Sequence, residues 1–332
     1  MKALVLFFRN SLPITFAAIL IVCIAFWVVE FYMFGRNSVV SDFGQQSLVF
    51  PSIAHYFDGL PLVMWGAGAA FFIVFSFVVL TLNTRFIFIQ ERTFMPVLFL
   101  GFVIGFPNIG LIPTPVALFS LFFVIALHRV FNSYRADYAL SNFFEASFIV
   151  GFGSFFWLPG LIFISVILAG LAIFRQFNWR EWVSSIVGFL TPLFFFELYQ
   201  FFVNNQAWVL VGDIANAFLT ASPYNLILKR LNLVFIFYVA FLVLLGSIKV
   251  MQNYDSFKIR SRKIFIVFFW TFVCALLGFL FFEGISYEVI FLGAIPVSFL
   301  LTYLFSVDRN PTRFQSILFV LFIVLAFMQV VF

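Results

Sequence analysis

Charge is what this sequence has least of. Only 9% of its 332 residues are Asp, Glu, Lys or Arg, against about 25% in a soluble domain. A chain with so little polar surface would not stay dissolved in water, so its solvent is lipid. Histidine is nearly absent: His55 and His128 are the only two. The topology derived below puts them on opposite sides of the membrane, which excludes a shared ion and with it a four-His iron site, and disfavours a His-based zinc hydrolase. Cysteine is scarce too. Cys23 and Cys274 both fall in apolar runs and form no CxxC motif, so they read as packing residues. No P-loop, GxGxxG or nucleophile elbow is present. Ser52, His55 and Asp58 fall close together in sequence, but such proximity is too common to mark a triad. The eighteen Lys and Arg are spread through short segments rather than gathered into a basic patch, so nucleic acid is excluded as a partner.

What the chain does have is long apolar stretches and 58 phenylalanines. The phenylalanines suit a lipid-facing surface; a Phe-lined substrate tunnel is the sharper alternative. A hydrocarbon core of about 30 Å needs about 20 apolar residues in a helix. Runs of this kind cover 12–34, 61–82, 182–203, 231–248, 264–282, 289–305 and 315–331. Four shorter runs, 93–106, 112–127, 143–157 and 160–174, form two pairs joined by FPNIGLIP and WLPG. The count predicts an all-α polytopic membrane protein of about 11 transmembrane helices, one helical domain over 1–332. The two hairpins, 93–127 and 143–174, either cross fully or dip in as re-entrant segments, which membranes tolerate only where protein or water shields the backbone. The first run is too long for a signal-peptide core and lacks a cleavage site.

Lys and Arg favour cytoplasmic loops. With the N-terminus inside and the C-terminus outside, fifteen of the eighteen bases lie inside; only Arg36, Lys229 and Arg230 lie outside. Glu30, Asp42, Asp58, Asp213, Glu283 and Glu288 then share the outer side. The two sizeable outer loops, 35–60 and 204–230, each carry a short amphipathic stretch suited to the interface. In the second, Trp208, Val211, Ala215 and Phe218 make the apolar face.

Two acids fall within apolar runs. Glu197 lies in the outer part of 182–203 and Glu145 near the inner start of 143–157. Intramembrane ionisable groups are costly and mark functional sites by default, so Glu197 is the candidate site of a transporter or flippase. Gly101-x-x-x-Gly105, Gly66, Gly68, Gly151 and Gly153 read as close helix contacts. KIRSRK at 258–263 anchors the topology and has the charge to attract anionic lipid.

The words FNWREW at 177–182 and GFLTP at 188–192, in the order of elements that follows ERTFMPVLFLGFVIGFPN at 91–108, resemble an uncharacterised family of Bacteroidetes-type inner-membrane proteins. That resemblance implies a multi-pass protein of the bacterial cytoplasmic membrane. The first 203 residues, with an acidic first outer loop and short paired spans, also resemble glycosyltransferases of the GT-C type. This second resemblance implies an envelope enzyme that takes a polyprenyl-phosphate sugar from the bilayer. Asp42, then Asp58 or Glu30, would be the catalytic carboxylates. Arg36, Lys229, Arg230 and His55 would bind substrate. A carboxylate site for Mg²⁺ or Mn²⁺ at Asp42 and Asp58 stays open; no other cofactor is indicated. Membrane lipids are the expected partners, and the residues name no protein partner. A non-catalytic scaffold of an envelope machine is the third reading.

Overall fold

The computed structural model describes residues 2–34, 47–55, 61–89, 91–105, 114–136, 138–205, 208–220, 230–285, 287–308 and 311–331. Among these, every regular element is helical. The helices are α1 (Lys2–Arg9), α2 (Pro13–Phe34), α3 (Phe50–His55), α4 (Pro61–Phe86), α5 (Met95–Gly105), α6 (Pro115–Asn132), α7 (Leu140–Gly153), α8 (Ile164–Phe174), α9 (Trp179–Asn204), α10 (Val209–Leu219), α11 (Arg230–Gln252), α12 (Ile259–Phe281), α13 (Ile290–Ser306) and α14 (Arg313–Val331). Short 3-10 turns at Leu158–Phe163 and Tyr287–Val289 lead into α8 and α13.

Each of the eleven apolar runs falls on a helix, but eleven spans are not reached. Among the described residues six helices are long and apolar enough to cross a membrane: α4, α6, α9, α11, α12 and α13. A seventh is reached if α1 and α2, bent by 109° at their junction, count as one span. At 1.5 Å per residue, the eleven described residues of α5 extend about 16 Å, roughly half the hydrocarbon thickness. All eleven are buried, packed chiefly on α13.

Lipid tails are as apolar as these side chains, so apolarity does not drive the helices together; close packing does. The α7–α9 contact shows how. The Ser147 and Ser185 hydroxyls share a 2.6 Å hydrogen bond. A Cβ on Gly151 would lie 2.6 Å from the Phe189 carbonyl oxygen, and one on Gly188 would collide with the Phe144 carbonyl. The predicted Gly101–Gly105 contact is present as well. Gly101 seats Cys23 and Phe72, Gly105 seats Phe26 and Trp27, and the Trp27 indole donates to the Gly101 carbonyl at 3.1 Å. Phenylalanine serves both environments: Phe88 packs its ring on Phe265, Phe268 and Phe299, whereas Phe194, Phe195 and Phe202 on α9 are exposed.

Polar contacts gather the bases at one end of the bundle. The Arg85 guanidinium meets His128, Arg175 donates to the Ala136 carbonyl, and Lys263 donates to the Phe174 carbonyl. Arg9 bridges Glu91 and the Asp308 carbonyl. The pairs α5–α6 and α7–α8 therefore each leave this cationic end and return to it, as hairpins.

Candidate functional site

Most of the residues expected to carry chemistry fall where no site can be built. Asp42, Asp58, Arg36 and Lys229 lie outside the described residues. Glu30 lies in α2 and Arg230 opens α11, with their side chains also outside the description. His55 ends α3 and is exposed. Among the described residues, no three His, Cys, Asp or Glu side chains converge as metal ligands.

The two acids within apolar runs have structural partners. Glu197 projects from α9 to the start of α10, where its carboxylate oxygens accept from the Val209 and Leu210 amides, each at 3.1 Å. The first amides of a helix have no partner within it. The N-cap residue here is Trp208, held at φ 66° and offering no side-chain oxygen. A carboxylate at this position satisfies two donors and complements the positive end of the helix dipole. Glu145 pairs with Arg129 at 3.0 Å, with both side chains over 40% exposed; such a pair contributes roughly 0–1 kcal/mol.

The face of α10 differs from the expected one. Leu210, Ile214 and Ala217 pack against Leu158, Leu193 and Phe196, while of the expected face Trp208, Val211 and Ala215 are exposed and Phe218 is part-buried, against Phe282. Both faces of this helix are apolar enough to bury, and the Glu197 cap together with the Gly284 amide on the Phe218 carbonyl decides which one turns inward.

The residue that sequence reasoning missed is Glu288. Its side chain is only 1% exposed, and Oε1 has no hydrogen-bond partner among the described residues. It sits in the 3-10 turn ahead of α13, within the span Tyr287–Ser306, and that turn packs on α6, α12 and α13. None of the three brings a cation to it. The only Arg of α6 is in its last turn, the bases of α12 are all in its first turns, and α13 has none. The sequence signal was present but fell one residue outside the apolar run 289–305, so Glu288 was placed among the outer-side acids rather than within a span.

At the cationic end, Asp308 ties three elements. Lys249 of α11 donates to its carboxylate at 2.5 Å and Gln315 of α14 at 2.6 Å, while Arg9 of α1 holds its backbone carbonyl. Burial pushes the Asp308 carboxyl up, but the Lys249 and Gln315 hydrogen bonds and the charges of Lys249 and Arg9 outweigh it and hold the group below its ordinary value. An apolar cleft of about 310 Å³ runs between α11, α12 and α13, lined by Val243, Tyr254, Phe265, Phe269 and Pro296 among others.

Six long apolar helices in an all-helical chain define a multi-pass membrane protein. Compared with protein-family models, with curated proteins and with solved structures, the chain matches none.

Proposed function

We propose that this membrane protein is a proton-coupled transporter whose intramembrane acid is Glu288. One observation carries the reading: a fully buried carboxyl within a span, with one oxygen unpartnered and no cation on the packed elements at its level. Removing a carboxylate from water costs several kcal/mol even after relaxation. The dipole of α13 offsets about 0.3–1 kcal/mol of that. The balance is unfavourable for a purely structural residue, and a membrane protein keeps such a group where it moves protons. Glu197, the acid singled out by sequence, is engaged as a cap. The glycosyltransferase reading rests on Asp42 and Asp58, and the scaffold reading on partners; neither draws support from the described geometry.

Two measurements test the proposal. A lipid-soluble carbodiimide should form an adduct at Glu288, read by peptide mass spectrometry, and leave Glu197 and Glu145 unmodified. In proteoliposomes holding a pH-sensitive dye, Glu288→Gln should abolish the proton flux that the wild type shows, while eluting as a folded monodisperse species. Wild-type flux in Glu288→Gln sinks the proposal, as does the absence of an adduct at every pH where the protein stays folded.

A further inference from the structure

The cationic end holds a cluster that the transport reading does not use. Arg85 comes from the last turn of α4, His128 and Phe131 from the last turns of α6, Tyr134 and Arg135 from the turn after it, and Arg260 and Lys263 from the start of α12. The side chains are held in place. Arg260 donates to the Phe131 carbonyl at 3.1 Å, with its guanidinium 4.6 Å from the centre of the Phe86 ring and 5.6 Å from that of Tyr134. Its Nε is buried and has no partner among the described residues. Lys263 reaches the Phe174 carbonyl at 3.4 Å and lies 5.9 Å from the Tyr134 ring. Arg135 takes φ 59° and lies 5.4 Å from the same ring. Arg85 donates to His128 Nε2 at 3.2 Å. An arginine has no acceptor, so that ring nitrogen accepts and the imidazole is neutral.

The described carboxylates nearby are committed elsewhere. Glu145 pairs with Arg129, and Glu181 takes both its bonds from Arg175 at 2.8 and 3.2 Å. Among the described residues no carboxylate pairs with Arg85, Arg260 or Lys263. Among the described residues these three fixed cations have no counter-ion. Guanidinium groups suit phosphate, which they bind through paired, charge-assisted hydrogen bonds. The surroundings say where the phosphate comes from. Tyr138, Phe177 and Trp179 stand 85%, 82% and 62% exposed at the same end of the bundle, as aromatic side chains do at a headgroup layer. We infer that Arg260 and Lys263, set against Tyr134, with Arg85 alongside at His128, form a binding site for the headgroup phosphate of an anionic phospholipid.

The test compares thermal midpoints of the purified protein in nanodiscs of phosphatidylcholine with and without phosphatidylglycerol. Phosphatidylglycerol should raise the wild-type midpoint, less so as salt increases. The rise should vanish in Arg85→Gln/Arg260→Gln and persist in Arg180→Gln, which removes an exposed base at the same end. An undiminished rise in the double variant overturns the site. An equal loss in Arg180→Gln overturns it too, since the attraction would then belong to the whole surface. Inorganic phosphate alone should leave the midpoint unchanged; a rise equal to that given by the lipid overturns the lipid assignment in favour of free phosphate. If the double variant fails to fold, Arg260→Lys keeps the charge and removes the planar fork. It should retain phosphatidylglycerol roughly tenfold more weakly by native mass spectrometry, and unchanged retention overturns the site.

Discussion

Three acids in apolar surroundings behave in three ways, and the difference lies in what each one touches. Glu197 meets two backbone amides, Glu145 meets Arg129, and Glu288 meets no cation among the described residues. Loss of a helix cap costs about 0.5–2 kcal/mol. Glu197→Ala should therefore lower the thermal midpoint and speed hydrogen exchange at the Val209 and Leu210 amides, with the rest of α9 unchanged; undisturbed exchange there would refute the cap. Asp308 carries a pH dependence. Its carboxyl is held below its ordinary value, so its contribution is present above the unfolded pKa of about 3.9 and is lost as pH falls toward the folded value. The stability gap between wild type and Asp308→Asn should accordingly be full near neutral pH and close under acid; a gap independent of pH would contradict the linkage. Neither contact was legible in the sequence. The Glu197 partners lie 12 and 13 residues on, and Lys249 lies 59 residues from Asp308; no periodic pattern encodes such distances.

Among the elements, small residues do the joining. Ser147 and Gly151 on α7 meet Ser185, Gly188 and Pro192 on α9, close enough for carbonyl oxygens to lie where a Cβ would be. Gly188→Leu should force α9 off α7 and lower the midpoint by more than Gly66→Leu, a position with open space around it. Equal effects of the two substitutions would mean that the contact is not what holds the pair. The sequence marks both Gly151 and Gly66 as close contacts; Gly151 is one and Gly66, with open space around it, is not. Which partner Gly151 meets was not readable from the sequence. Likewise Trp208, Val211 and Ala215 have the right spacing for a face, but the buried one is Leu210, Ile214 and Ala217. An apolar helix between protein and lipid has two acceptable faces, and a cap from another helix selects between them.

For the whole molecule, apolar length is spent in two ways. Of the most apolar window of α9, 11% is buried, against 83% in the span that contains α13, and α5 is buried throughout. A photoreactive lipid-soluble probe should label α9 heavily, at residues such as Phe194 and Phe202, and spare α5. Labelling of α5 at a similar level would mean that it faces lipid after all. Apolar length alone does not tell these two uses apart, as the contrast between α9 and the buried α5 shows.

The sequence by itself determined the class of this protein, since 9% charge and repeated apolar runs admit only a helical membrane protein, and it placed a helix at every run. Tertiary structure alone decided which runs are buried and which are exposed, which acids are engaged and which one is not, and that Arg260 and Lys263 meet at Tyr134 without a carboxylate among the described residues. The physical reason is that apolarity is a property of each residue, whereas pairing and burial depend on neighbours brought in from distant parts of the chain.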